Sequence, residues 1–188
     1  MRLFVAARLA ADLQARLGAL QQELRGLQGR VRWVRPEDIH LTFVFLGEVA
    51  AERLAPVREA VEAAADEGPP VFRLRGSGVG AFPVRGSLRV VWVGLEGDLA
   101  AAALLKQALE GRLAACGFRP EQREFVPHLT LGRVGRERGR DDRATLERHR
   151  AVDLGELPVD AVHLIESRLS PDGARYEALA GFPLRTAA

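Results

Sequence analysis

One tripeptide occurs twice, and its surroundings constrain the fold more than any other feature of the chain. His40-Leu41-Thr42 and His128-Leu129-Thr130 lie 88 residues apart in a chain of 188. Each follows an amphipathic helix and a short link, and each opens a run of β-forming residues closed near a glycine. In a strand, positions i and i+2 share a face. His40 and Thr42 therefore point one way and Leu41 and Phe43 the other; His128 and Thr130 are set against Leu129 and Leu131 in the same manner. A repeated helix–link–strand unit at nearly half the chain length predicts a pseudo-twofold molecule, with one triplet from each lobe facing a shared cleft.

The remaining elements fit that frame. Leu3 to Ala7 alternates as a strand. Asp12 opens a helix carrying leucines at 13, 17, 20, 24 and 27, ended by Gly29. Trp33-Val34-Arg35-Pro36 is an extended link, because the residue before proline avoids the helical region. Ile39 to Leu46 is a strand, and its alternation sends Phe43 and Phe45 into the core. A second helix runs from about Glu52 to Ala65 and is broken at Gly68-Pro69-Pro70. Strand pieces follow at Val71 to Leu74, Val79 to Phe82 and Leu88 to Leu95. Asp98 caps a third helix whose Ala102, Leu105, Leu109 and Leu113 face inward as far as Gly117. After the His128 to Val134 strand, the stretch 136–143 is a charged, solvated loop. Val159 to Leu169 and Ala174 to Ala180 close the chain around a turn at positions 170–173. Strands and helices mix without strict βαβ alternation. The class is therefore α+β: a single bilobal domain over 1–188, with two antiparallel sheets flanking a central cleft and helices on the outer faces.

Composition narrows the chemistry. At 47% hydrophobic residues the chain can bury a proper core, and no apolar run reaches the roughly 18 residues needed to span a bilayer. The first eight residues alternate like a strand and lack a signal-peptide core. With the single Cys116, this predicts a cytoplasmic protein with no internal disulfide, no multi-cysteine zinc site and no membrane partner. Nearly all basic residues are arginine, which grips phosphate bidentately, although base composition of the gene explains most of that bias.

Each triplet presents an imidazole beside a hydroxyl. Histidine takes or gives a proton near neutrality, and a threonine hydroxyl donates to a phosphoryl oxygen. Two facing units supply a base, an acid and two donors around one phosphate, the set needed to open a cyclic phosphodiester. One His-x-Thr in a strand is more often a packed histidine; two with matching patterns are hard to dismiss. His149 and His163 lack a threonine two residues on and default to surface or core roles. Neither triplet has a carboxylate at metal-ligand spacing. Cys116 ends an amphipathic helix and packs there. Gly76-Ser77-Gly78-Val79-Gly80 lacks the Lys-Ser/Thr of a phosphate loop and predicts a strand bend or bulge.

These residues, with Arg2-Leu3-Phe4-Val5-Ala6, Arg32 to Val49, Phe82-Pro83, Val90 to Gly94, Phe125 to Val134 and Glu166 to Tyr176 in order, resemble the bacterial RNA 2′,3′-cyclic phosphodiesterases, also called 2′-5′ RNA ligases, of the 2H phosphoesterase superfamily. The resemblance implies hydrolysis of RNA 2′,3′-cyclic phosphate ends to 2′-phosphomonoesters without a metal or other cofactor. The alternative is 2′-5′ ligation of RNA halves bearing cyclic phosphate and 5′-hydroxyl ends. It implies His40 as proton donor, His128 as proton acceptor, and Thr42, Thr130 and Arg133 as phosphate-binding residues. Strict alternation puts Arg133 opposite His128, so it reaches the site only if the strand twists or breaks near Gly132. RNA ends, tRNA-derived ones among them, are the expected partner, and a monomer the expected state.

Overall fold

A computed structural model describes residues 1–27, 31–84, 87–135, 143–170 and 173–186. Expectations placed on Gly29, on 136–142 and on the 171–172 turn lie outside these residues.

Strand β1 (Arg2–Arg8) buries Leu3, Val5 and Ala7 in the main core, while Phe4 and Ala6 belong to a small cluster with Ile165 on the other face. Helix α1 (Ala11–Glu23) starts one residue before Asp12, which sits in its first turn and pairs with Arg16. Its predicted leucine stripe is buried, with Leu24 in a 3-10 turn that ends the helix. The predicted extended link contains a short strand, β2 (Val31–Trp33), where Trp33 packs against the core. A 3-10 turn at Pro36–Asp38 leads into β3 (His40–Glu48).

Helix α2 (Leu54–Glu67) packs on α3 (Leu99–Ala115), whose inward residues Ala102, Leu105, Leu109 and Leu113 are those the spacing predicts. Asp98 stands at the N-cap of α3, but its carboxylate accepts the Arg73 N–H rather than one of the helix's own. Cys116 stands at the C-cap of α3 and is partly buried against the core.

The two predicted pieces at 71–82 form one strand, β4 (Phe72–Phe82), with a bulge between Ser77 and Val79 inside the glycine run. A Cβ at Gly80 would stand 2.2 Å from the Trp92 ring, so glycine there lets the indole lie on the strand. The run is thus a strand device and no phosphate loop. Next come β5 (Val90–Gly97), β6 (His128–Val134), the short α4 (Arg143–Arg148), β7 (Asp153–Val159), β8 (Ala161–Ser170) and β9 (Gly173–Pro183). Sequence reading missed β7: Gly155 and Pro158 interrupt its pattern, and proline is tolerated because β7 is an edge strand.

The sheet order is β7-β4-β5-β6-β3-β1-β8-β9, with β2 also on β6. The expected pair of sheets is thus two halves of one nine-stranded antiparallel sheet. Read outward from the centre, β3-β1-β8-β9 mirrors β6-β5-β4-β7. The halves meet through the bridge of Leu41 with Leu129, the middle residues of the two triplets.

Candidate active site

Both middle leucines are fully buried in the main core, so the flanking histidines and threonines are turned to the opposite face. In an antiparallel register, the Leu41–Leu129 bridge sets His40 across from Thr130 and Thr42 across from His128. The two pairs are therefore brought together, each imidazole beside the other strand's hydroxyl.

The rings are held in matching fashion. His40 Nδ1 lies 2.7 Å from the Asp38 carbonyl oxygen, and His128 Nδ1 lies 2.7 Å from that of Val126. A carbonyl only accepts, so in each ring Nδ1 carries the proton and donates it, leaving Nε2 as the nitrogen able to take or give a proton. Two aromatic rings flank each imidazole. Phe4 stacks on His40 at 4.7 Å and Tyr176 meets it edge-on at 5.1 Å. Phe82 meets His128 edge-on at 5.2 Å, with Trp92 tilted at 6.2 Å.

Burial pushes the His40 imidazole below the ordinary value; the hydrogen bond to the Asp38 carbonyl and the Asp38 charge oppose this, and Arg133 adds to the lowering. The Asp38 side chain is only 10% exposed and pairs with Arg35 at 2.6 Å, which fixes the turn behind His40. Tyr176, partly buried beside the ring, is raised above its usual value by that burial.

Beyond the triplets the strands depart from strict alternation, and the departures decide two side chains. On β3, Val5 pairs with Val44 and Ala6 with Thr42, so Phe43 is a bulge residue. Phe43 and Val44 both turn inward, and Phe45, expected in the core, is 67% exposed. A single inserted residue reverses the facing of all that follow. Phe45 therefore joins the face of His40 and lies 6.1 Å from Phe4. On β6, Val91 pairs with Gly132 and Trp92 with Thr130, which makes Leu131 the bulge residue. Leu131 and Gly132 are both buried, and Arg133 emerges on the face of His128. Its charge is felt by both His40 and Tyr176. The break that Arg133 needed is present, and Gly132 permits it: a Cβ there would stand 2.5 Å from Val31 of β2.

Buried Gln21 of α1 holds this second bulge. Its amide donates to the Leu131 carbonyl at 3.0 Å and to the Val34 carbonyl at 2.7 Å, and the Val34 N–H also donates to Leu131 at 2.9 Å. Sequence reading missed Gln21, although a glutamine set between Leu17, Leu20 and Leu24 on the apolar helix face was the available signal. His149 stands outside the site, its Nδ1 donating to the Thr145 carbonyl at 2.9 Å. His163 pairs with Ala6 and is partly buried on the triplet face.

A model of the 2′-5′ RNA ligase superfamily matches residues 11–170. An Archaeoglobus fulgidus protein named RNA 2′,3′-cyclic phosphodiesterase is 36% identical over 184 residues, covering 97% of this chain and 99% of that one. A Thermus thermophilus protein of the same name is 35% identical over 193 residues, covering 98% and 91%. Among solved structures, one from Thermus thermophilus superposes with a TM-score of 0.82 at 31% identity over the whole of both chains. Apo LigT of Escherichia coli gives 0.74 at 25% identity over 98% of each.

Proposed function

The chain belongs to the 2′-5′ RNA ligase superfamily, and from that premise we propose that it hydrolyses RNA 2′,3′-cyclic phosphate ends to 2′-phosphomonoesters by paired-histidine acid–base catalysis. The observation that carries this reading is the Leu41–Leu129 bridge, which turns two imidazole–hydroxyl pairs to one face in crossed register. His128 takes a proton from water through Nε2 as the water oxygen bonds to phosphorus. The bond from phosphorus to the 3′ oxygen breaks, and His40 gives that oxygen its proton. Thr42, Thr130 and Arg133 hold the remaining phosphoryl oxygens, whose charge grows in the transition state. Burial disfavours a protonated His40 in the free protein. An anionic phosphate seated beside it favours the imidazolium and offsets that cost. No metal enters these steps.

The exposed Phe45, backed by buried Phe4, offers an apolar face next to the reacting centre for the terminal base, since stacking needs only a π-face. Transfer-RNA fragments are one class of ends with the required chemistry, in keeping with a cytoplasmic enzyme. No helix among the described residues is long and apolar enough to cross a membrane. Phosphorus NMR of a nucleoside 2′,3′-cyclic phosphate incubated with the protein should show conversion to the 2′-monophosphate, unaffected by EDTA. A 3′-monophosphate product, no turnover, or abolition by EDTA would overturn the reading.

Membership of the 2′-5′ RNA ligase superfamily also supports 2′-5′ ligation, the same displacement of the 3′ oxygen with a ribose 5′-hydroxyl attacking phosphorus in place of water. Labelled RNA halves bearing cyclic phosphate and 5′-hydroxyl ends would reveal it as a joined product.

A further inference from the structure

On the triplet face, the strand pairings line up one transverse row. Thr42 pairs with Ala6, Ala6 with His163, and His163 with Gly181. Neighbouring strands lie about 4.8 Å apart, so His163 stands roughly 10 Å from Thr42 with only the Ala6 methyl between them. The His163 ring lies over Gly181, where a Cβ would come within 3.2 Å of Cδ2 and Nε2. Arg8 follows two residues after Ala6 on the same strand and is paired with His40 in register. Its side chain is exposed and, among the described residues, has neither an ion-pair nor a hydrogen-bond partner. Arg8 lies close enough to act on His163: burial first, then the Arg8 charge, hold that imidazole below its ordinary value, with Asp160 acting the other way.

A free guanidinium on β1, one strand from Thr42, and a partly buried imidazole on β8, two strands from it, thus share the reactive face. With His163 too far off to grip the phosphate held at Thr42 and Thr130, the pair spans a position beyond that phosphate. It suits the next anion along a polynucleotide, and an arginine's planar fork matches a phosphodiester's two free oxygens.

We propose that Arg8 and His163 form a second anion subsite that binds the phosphodiester one nucleotide upstream of the cyclic end. This rests on the hydrolase reading and extends it: the substrate is an RNA strand lying across β1 and β8, and a lone cyclic nucleotide leaves the subsite empty. Binding of that phosphate brings negative charge between Arg8 and His163 and favours the imidazolium there.

The test compares two substrates with the same terminal base, a nucleoside 2′,3′-cyclic phosphate and a dinucleotide ending in the same cyclic phosphate. Arg8→Ala should lower kcat/KM for the dinucleotide about tenfold, the scale of one lost charge-assisted hydrogen bond, through KM. Turnover of the mononucleotide should be unchanged. His163→Gln should act in the same direction more weakly. Arg73→Ala, which removes an equal charge from distant β4, should leave both substrates alike. Equal losses on both substrates, no loss on either, or the same discrimination from Arg73→Ala would overturn the subsite. Failure of the unaltered protein to turn over either substrate would overturn the hydrolase reading itself.

Discussion

Strands β3 and β6 carry the same triplet, the same Nδ1 anchor two residues upstream and a bulge at the same offset, three residues after the histidine. They differ in what surrounds that shared frame. The fifth residue after the histidine is Phe45 on one strand and Arg133 on the other, so equivalent bulges deliver an apolar ring beside one histidine and a cation beside the other. Behind His40 stands the charged Arg35–Asp38 turn; behind His128 the anchoring residue is the exposed Val126. A duplicated frame supplies two chemically similar units, and their second ring of contacts makes one differ from the other. An acid and a base require that difference.

The frame is common to both strands, so removing either working nitrogen should have the largest effect. His40→Ala and His128→Ala should each cut turnover by about 10² to 10⁴, the usual value of a positioned acid or base. Near-normal rates for one variant in steady-state assays would contradict the equivalence of the two strands. The two phenylalanines of β3 come next. Phe43→Ala should destabilise the protein by about 3–5 kcal/mol in denaturant titration, as a buried aromatic does. Phe45→Ala should leave stability within about 0.5 kcal/mol and raise KM for a nucleotide by about tenfold, the loss of one stacked base. Equal stability losses would mean that the β3 bulge is absent.

On β6, Gln21→Leu withdraws a donor from the bulge carbonyl. It should raise KM severalfold by loosening Arg133, at a cost of about 1 kcal/mol in stability. Adding the same change to Arg133→Ala should then give no further rise in KM, a double-mutant cycle that separates positioning of Arg133 from general damage.

The smallest and most diagnostic effects are shifts in the pH profile of kcat/KM, which reports the free enzyme. As a donor His40 must be protonated, so activity falls as pH rises through its pKa. Asp38 raises that pKa, so Asp38→Asn should move the high-pH limb to lower pH. Arg133 lowers it, so Arg133→Gln should move the same limb to higher pH. Movement of the low-pH limb instead would make His40 the base and reverse the assignment.

Most of the frame was legible in the chain itself. Leucine spacing marked α1 and α3, period-two alternation marked β3 and β6, and the repeated triplet marked both the face its four side chains share and the pseudo-twofold halves. Edge strand β7 was illegible because Gly155 and Pro158 break the pattern that marks a strand, and at an edge nothing penalises them. Which four side chains share a face follows from the residues alone, because alternation over three positions is enough to set it. Where Phe45 and Arg133 point is a property of the folded sheet. A bulge is set by pairing with the neighbouring strand and, on β6, by Gln21 from a distant helix. One inserted residue reverses every side chain beyond it, and no local rule anticipates that.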